Sequence, residues 1–288
     1  MIQKSYQESK DGKLYLIPTP IGNLDDITLR AINTLKEVDI VYAEDTREAL
    51  NLLKYLNISK KVESCHKYTE KLHSEKIVSI LKSGKNIGYV TDRGTPLISD
   101  PGNVIVYDAI KEGISVIALP GPNALLPAIN MSGLSNEKFL FYGFLNSKKS
   151  IAKQELINIK EEEYTLIFYE APHRIMETLL LMKDVLGDRK IAIVREISKV
   201  YEEIIRDNIS NIIKNCDKIK GEIVIVVEGY KKTNKTIDYS KEIEKLIANG
   251  YSKKDAIKEV ADKYSVSKNK LYNEYIKENW YEINRRTR

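Results

Sequence analysis

Two aspartates in this 288-residue chain stand where a proton could be moved: Asp45 in "AEDTR" at 43–47 and Asp100 in "ISDPG" at 98–102. A carboxylate in a loop beside a ligand can act as a general base, an effect of about 10²- to 10⁴-fold. Each also has a plain local use. Asp100 before Pro101 would set a turn, and Glu44-Asp45 would cap the helix that follows. Asp100 belongs to a longer stretch, "TDRGTPLISDPG" at 91–102, which follows directly on the apolar run Ile87 to Val90. Gly and Pro supply the φ values that a turn needs, but a simple reversal does not call for so many polar side chains. The stretch reads as one wall of a site.

A second loop, "PTPIGNL" at 18–24, has the glycine and proline content of a ligand-gripping turn. It lacks both G-x-G-x-x-G and G-x-x-x-x-G-K-[ST], so a nucleoside triphosphate is disfavoured. Loops of Pro, Gly and small hydroxyl residues with an aspartate suit a ligand read by backbone groups, such as an adenosine with an amino-acid tail. Arg47 could clamp a phosphate or a base through its bidentate geometry. His173 in "EAPHRI" reads as a cap or surface residue, and Arg174 beside it as an RNA contact or a link between domains. Cys65 and His66 are neighbours on an apolar run, where side chains point to opposite faces, so they make no nucleophile and base pair. With two cysteines and three histidines scattered, no metal site is expected.

The elements that must position these residues follow from apolar runs. Leu14 to Ile17, Ile40 to Ala43, Val62 to Cys65, Ile87 to Val90 and Val116 to Leu119 read as strands, separated mostly by segments of helical period. Ile27, Ala31, Leu35 and Val38 form one helical stripe behind an Asp25-Asp26 start signal, and Ile77, Ile80 and Leu81 another. Strand and helix in alternation mean parallel strands with crossover helices. The polar loops then all fall at strand carboxyl ends, where open α/β sheets place ligands. From Phe139 the strand signals become denser, and the short spacing between Ile191 and Ile205 implies a hairpin and a mixed sheet. The expected organisation is a tail at 1–13, a parallel α/β domain at 14–132, a mixed α/β domain at 133–232 and a helical extension at 233–288. The join is expected within Asn130 to Lys138.

Composition agrees with a folded chain: 42% apolar and 30% charged residues. The longest apolar run, Ile223 to Val227, is far short of the roughly 20 residues that span a bilayer. With no apolar segment at its start, the chain is expected to be cytoplasmic and free of membranes. Net charge is +5, and the segment from Lys231 onward holds 15 basic against 9 acidic side chains. That excess points to a polyanionic partner, with a solvated lysine-rich face as the plain alternative. Helices are expected at Lys241 to Ala248, Lys253 to Tyr264 and Lys268 to Lys277, the last two capped by Ser252 and Ser267. They read as a helix-turn-helix or as a buttressing bundle, with Lys253, Lys254 and Lys268 as candidate RNA contacts. Most of the 18 tyrosines are expected in the core rather than as platforms for bases.

Seven ordered motifs, "LYLIPTPIGNLDDITLRA", "AEDTR", "TDRGTPLISDPG", "LPGPNALLPA", "YGFL", "FYEAPHRI" and "REISKVYEE", resemble the tetrapyrrole methylase superfamily, and within it the methyltransferases of small-subunit ribosomal RNA. The match runs from Leu14 to about Gly229 and extends into "SKKDAIKEVADKYSVSKNKLY". The resemblance implies S-adenosylmethionine as methyl donor and, as acceptor, the ribose 2′-hydroxyl of a cytidine in the decoding region of 16S ribosomal RNA. It also implies a homodimer and a donor pocket between the two α/β domains. By motif, the donor pocket falls on Ile21, Asp92, Gly94, Thr95, Asn123, Ala124 and Tyr169. The family usually reads Ser-Asp-Ala-Gly-Thr-Pro where this chain has Thr91 and Arg93 around Asp92, and it usually has a serine at Asn123. Arg93 could reach RNA phosphate or solvent. Methylation of a tetrapyrrole or of a modified protein side chain, and nucleic-acid binding without catalysis, are the alternatives.

Overall fold

A computed structural model describes residues 2–7, 9–65, 70–216, 219–232, 238–273 and 275–276. Residues 1–230 form one compact unit and 231–288 another.

The first sheet and its helices run in strict alternation. They are β1 (Leu14–Leu16), α1 (Leu29–Glu37), β2 (Ile40–Ala43), α2 (Thr46–Tyr55), β3 (Lys61–Ser64), α3 (Glu70–Lys82), β4 (Ile87–Val90), α4 (Asn103–Lys111) and β5 (Val116–Ala118). The strand order is β3-β2-β4-β1-β5, every pair parallel. β2 and β4 are buried throughout, as strands covered on both faces must be. One face packs Leu14, Tyr42 and Ile87 against Ile77 and Leu81 of α3 and Ile105 of α4. The other packs Val41 and Val90 against Leu35 of α1 and Leu53 of α2.

The start of α1 departs from the sequence expectation. Asp25 and Asp26 lie in a single 3₁₀ turn that Asn23 caps, and the helix proper opens three residues on, where Thr28 Oγ1 accepts from the Ala31 N–H at 3.0 Å. Two caps lie within six residues, and the Thr28 cap is the one aligned with the buried Ala31 and Leu35.

The second sheet is mixed. After α5 (Leu125–Ser132) come β6 (Phe139–Phe144), α6 (Lys149–Ile159), β7 (Thr165–Glu170), α7 (Ile175–Leu186), β8 (Lys190–Arg195), β9 (Glu203–Asn208), α8 (Ile209–Asn215) and β10 (Ile223–Val227). The order is β6-β7-β10-β8-β9, with β6 and β7 parallel and the other pairs antiparallel. The expected hairpin is β8 and β9. Side chains of β10 alternate between two cores: Ile223, Ile225 and Val227 pack with α6, α7 and α8, while Val224 and Val226 face Ala128 and Ile129 of α5. α5 thus runs into the expected join and covers the second sheet. Its last turn holds Asn130 to Ser132, and Gly133 ends it at φ 75°.

The second unit holds α9 (Tyr239–Ala248) and α10 (Lys253–Tyr264), and the chain is helical again at 268–273. Ser252 caps α10, and the Leu271 N–H donates to the Ser267 carbonyl at 3.0 Å. Lys277, where the third helix was expected to end, lies outside the described residues. Ile243, Ile257, Val260, Leu271 and Tyr275 give this unit a core of its own. Across the described chain the tyrosines are not mainly core: Tyr42, Tyr89 and Tyr275 are buried, whereas Tyr6, Tyr55, Tyr107, Tyr164, Tyr201, Tyr251 and Tyr272 are exposed. Apolar periodicity misplaces tyrosine because its hydroxyl lets the ring sit at the boundary with water. No described helix is long and apolar enough to cross a membrane.

Candidate active site

The loops after β1, β4 and β5 leave the same edge of the parallel sheet and are laced together by their polar groups. Thr19 and Gly94 exchange backbone N–H to carbonyl bonds at 2.9 and 3.0 Å. Thr19 Oγ1 donates to the Thr91 carbonyl at 3.1 Å, and Thr95 Oγ1 to the Pro122 carbonyl at 2.9 Å. Buried hydroxyls and carbonyls must find partners, so the hydroxyls of Thr19 and Thr95 hold the connections between loops. Gly94 takes φ 82°, and Leu97 and Ser99 take φ 72° and 68°, a left-handed backbone that non-glycine residues rarely adopt. Such strain persists where the surroundings over-determine it, as beside a ligand site.

Between these loops and the second sheet lies a cleft of about 390 Å³. Ile21, Arg93, Gly94, Thr95, Asp100, Asn123, Ala124 and Tyr169, all expected from the sequence, line it. Asn123 Oδ1 accepts from the Leu126 N–H at 2.9 Å and so opens α5. Burial pushes the Asp100 carboxyl up to about 6, the negative charges of Glu44 and Asp92 add to the rise, and a hydrogen bond from Thr91 opposes it. Burial, with Asp100 nearby, also raises the Tyr169 phenol to about 12, so it stays protonated, its oxygen facing the N–H groups of Ala124 and Leu125.

Asp45 and Asp92 stand outside the cleft lining. Asp45 is the N-cap of α2, accepting from the Arg47 N–H at 2.8 Å, and its carboxylate is gripped by the Arg47 guanidinium at 2.6 to 3.2 Å. That pairing holds its pKa at about 2. Asp92 Oδ1 accepts from the Asp45 N–H at 3.0 Å, tying the β2 and β4 loops together, and its side chain lines a neighbouring cavity.

The arginines divide. Arg47 is exposed. Arg93 is tied to Glu222 at 2.5 Å, and Lys199 bridges Glu222 and Glu196 at 3.0 and 2.9 Å. Arg174 turns inward, donating to the Leu145 and Asn146 carbonyls at 3.1 and 3.2 Å beside the buried Glu170. His173 is exposed, and Cys65 is buried on the first sheet, while His66 lies outside the described residues. In the second unit Lys254 is exposed, Lys268 half-buried, and Lys253 Nζ sits 5.0 Å from the Tyr275 ring centroid.

Phe144, Glu170, Ile197, Glu222 and Val224 also line the cleft without having been expected. Phe144 carried a usable signal, an aromatic inside the "YGFL" motif. It packs on Tyr169 with ring centroids 5.6 Å apart, beyond an irregularity of β6 at Gly143. Glu222 and Val224 carried none, because antiparallel pairing of β10 brings them there.

A parallel sheet whose carboxyl-end loops face a mixed sheet across a largely apolar cleft defines a two-sheet α/β enzyme fold. Diphthine synthase shares it with a TM-score of 0.61 at 16% identity over 76% of this chain and 90% of the other. Uroporphyrin III C-methyl transferase from Thermus thermophilus shares it at 0.55 and 16%, over 75% and 97%. The chain belongs to the tetrapyrrole (corrin/porphyrin) methylases, the family that matches residues 13–213. It is 45% identical to ribosomal RNA small subunit methyltransferase I of Bacillus subtilis (strain 168), over 95% of this chain and 97% of that one. It is 42% identical to the protein of that name from Haemophilus influenzae, over 91% and 95%.

Proposed function

We propose that this methyltransferase moves a methyl group from S-adenosylmethionine to 16S ribosomal RNA of the small subunit, at the ribose 2′-hydroxyl of a cytidine in the decoding region. The carrying observation is the cleft with a half-buried Asp100 of raised pKa in its wall, in a chain similar end to end to proteins named for methylating that RNA.

The residues fit the donor. Ile21, Ala124, Ile197 and Val224 offer apolar contact to an adenine, and Thr95 and Tyr169 carry hydroxyls. A Cβ at Gly94 would stand 3.3 Å from Ile21 Cγ2, so glycine keeps that wall open. The cleft falls within the roughly 300–1,000 Å³ of small-molecule sites. Once bound, the donor supplies an electrophilic methyl on a positively charged sulfur. In the displacement a carbon–oxygen bond forms as the sulfur–carbon bond breaks, and the hydroxyl proton must leave. Asp100 is the group to accept it. With its pKa near 6 the carboxylate is mostly ionised at neutral pH, yet basic enough to take a proton. Holding oxygen, carbon and sulfur in line can contribute about 7–11 kcal/mol.

Arg47 and Arg93 at the sheet edge, with Lys253, Lys254 and Lys268 in the second unit, are the proposed RNA contacts, supported by the basic excess from Lys231 onward. Arg174 is reassigned to positioning, since its guanidinium is taken up by backbone carbonyls. The family resemblance adds two copies per particle, expected from light scattering. The test is labelled donor with small subunits lacking the modification, followed by nuclease digestion and alkali. Label at one alkali-resistant ribose is expected, and label absent from RNA refutes the reading. Deleting 241–288 should weaken RNA binding and flatten its salt dependence while donor affinity holds.

A further inference from the structure

Behind the wall of the donor cleft lies a second cavity of about 360 Å³, between α2, the β1 and β4 loops and the β8–β9 connection. Neighbouring residues of the loops line opposite sides. Ile21 and Gly94 face the first cavity, Pro20, Gly22 and Asp92 the second, and Arg93 borders both. The partition is one backbone thick, closed by the Thr19 and Gly94 amide pair.

We propose that this second cavity is the acceptor-side subsite and holds one nucleotide of single-stranded RNA. The proposal rests on the methyltransferase reading above and deepens it. The chemistry of the lining selects the occupant. Tyr55 presents a ring more than half exposed, open to stacking by a base, beside the half-exposed Leu24. One turn earlier on α2, Asn51 offers a donor and an acceptor to a base edge, and its carboxamide makes no hydrogen bond among the described residues. Two carboxylates, Glu48 and Asp92, face two cations, Arg93 and Lys199, so the cavity carries no net positive charge. A polyphosphate therefore gains little there. Sugar hydroxyls gain more, because they donate to carboxylates, and the 2′-hydroxyl is the group that distinguishes RNA from DNA. Both cations are already neutralised by Glu222 and Glu196, which leaves a rim able to exchange one pairing for a single phosphate. The common border at Arg93 puts a nucleotide seated here beside the donor cleft but across the partition, so the strand crosses the rim at Arg93 and presents the neighbouring nucleotide to the donor.

The test uses the full chain and three variants, Tyr55→Ala, Tyr55→Phe and Asn51→Ala, all at exposed positions, with melting curves to confirm folding. Donor affinity is measured by calorimetry with S-adenosylmethionine, acceptor affinity with a short single-stranded oligoribonucleotide and its deoxy counterpart, and KM with unmodified small subunits. Tyr55→Ala should weaken the oligoribonucleotide and raise KM about ten-fold, Tyr55→Phe should stay within about two-fold, and donor affinity should not move. Asn51→Ala should shift the same quantities by less. The subsite is overturned if both alanine variants bind and turn over RNA like the wild type, if donor affinity falls with RNA affinity, or if Tyr55→Ala changes only the particle mass in light scattering, the mark of a protein contact. Failure of the wild type to label RNA refutes the methyltransferase reading instead, and Tyr55-dependent RNA binding in that case still supports the subsite.

Discussion

The β2 and β4 loops leave neighbouring strands at the same sheet edge, and each carries an aspartate, yet the two carboxyls differ by about four units in acidity. Asp45 has a guanidinium and a helix N-terminus beside it, which hold its charge in place. Asp100 has a half-buried setting and two negative neighbours, Glu44 and Asp92, which oppose the charge. One loop uses its acid to fix the backbone, and the other keeps an acid that takes up a proton near neutrality. Residue type offers both loops the same chemistry, and packing assigns it to one.

The largest effect expected from breaking this contrast is on turnover. Asp100→Asn should lower kcat about 10²- to 10⁴-fold in the labelled-donor assay while donor affinity changes little. Loss of donor binding without a kcat effect would make Asp100 a donor contact instead. Next in size, kcat/KM of the wild type should rise with pH through about 6 and then level, and Asp100→Asn should remove that inflection.

Stability supplies a smaller contrast. Because the folded pKa of Asp100 is raised, the unfolded chain gives up that proton first, near 3.8, and the folded form then loses stability until pH passes about 6. Asp100→Asn should therefore be more stable than the wild type above pH 6, by roughly 1–2 kcal/mol, and level with it below pH 4, as urea unfolding at the two values would show. Asp45 runs the other way. Its lowered pKa adds stability above about 3.8 that disappears as pH falls toward 2, so Asp45→Ala should melt slightly earlier at pH 7 and lose the difference in acid. Its kcat should stay within about two-fold, since losing a cap costs helix stability and no cleft residue.

Much of this contrast was hidden in the sequence, although the positions were not. Strands such as Ile40–Ala43 and Ile87–Val90 announce themselves because both faces are buried and the apolar run is continuous. The loops announce themselves because positive φ and tight reversals demand Gly, Pro and small polar residues. Partnership does not show in this way. That Arg47 closes on Asp45, that Arg93 meets Glu222, and that Arg174 turns in to the Leu145 and Asn146 carbonyls depend on elements far apart in the chain or on a rotamer, and charge alone reads each arginine as surface. The same reason hid Val224 and α5: a β10 residue reaches the cleft only through its antiparallel neighbours, and α5 precedes the sheet it covers.

The reciprocal amide pair of Thr19 and Gly94 has a consequence for variation in these turns. Adding or removing one residue in either loop would turn its amide away from the other and strand two polar groups indoors. The two turns are thereby held to matched lengths, and natural or engineered change in one would have to be answered in the other.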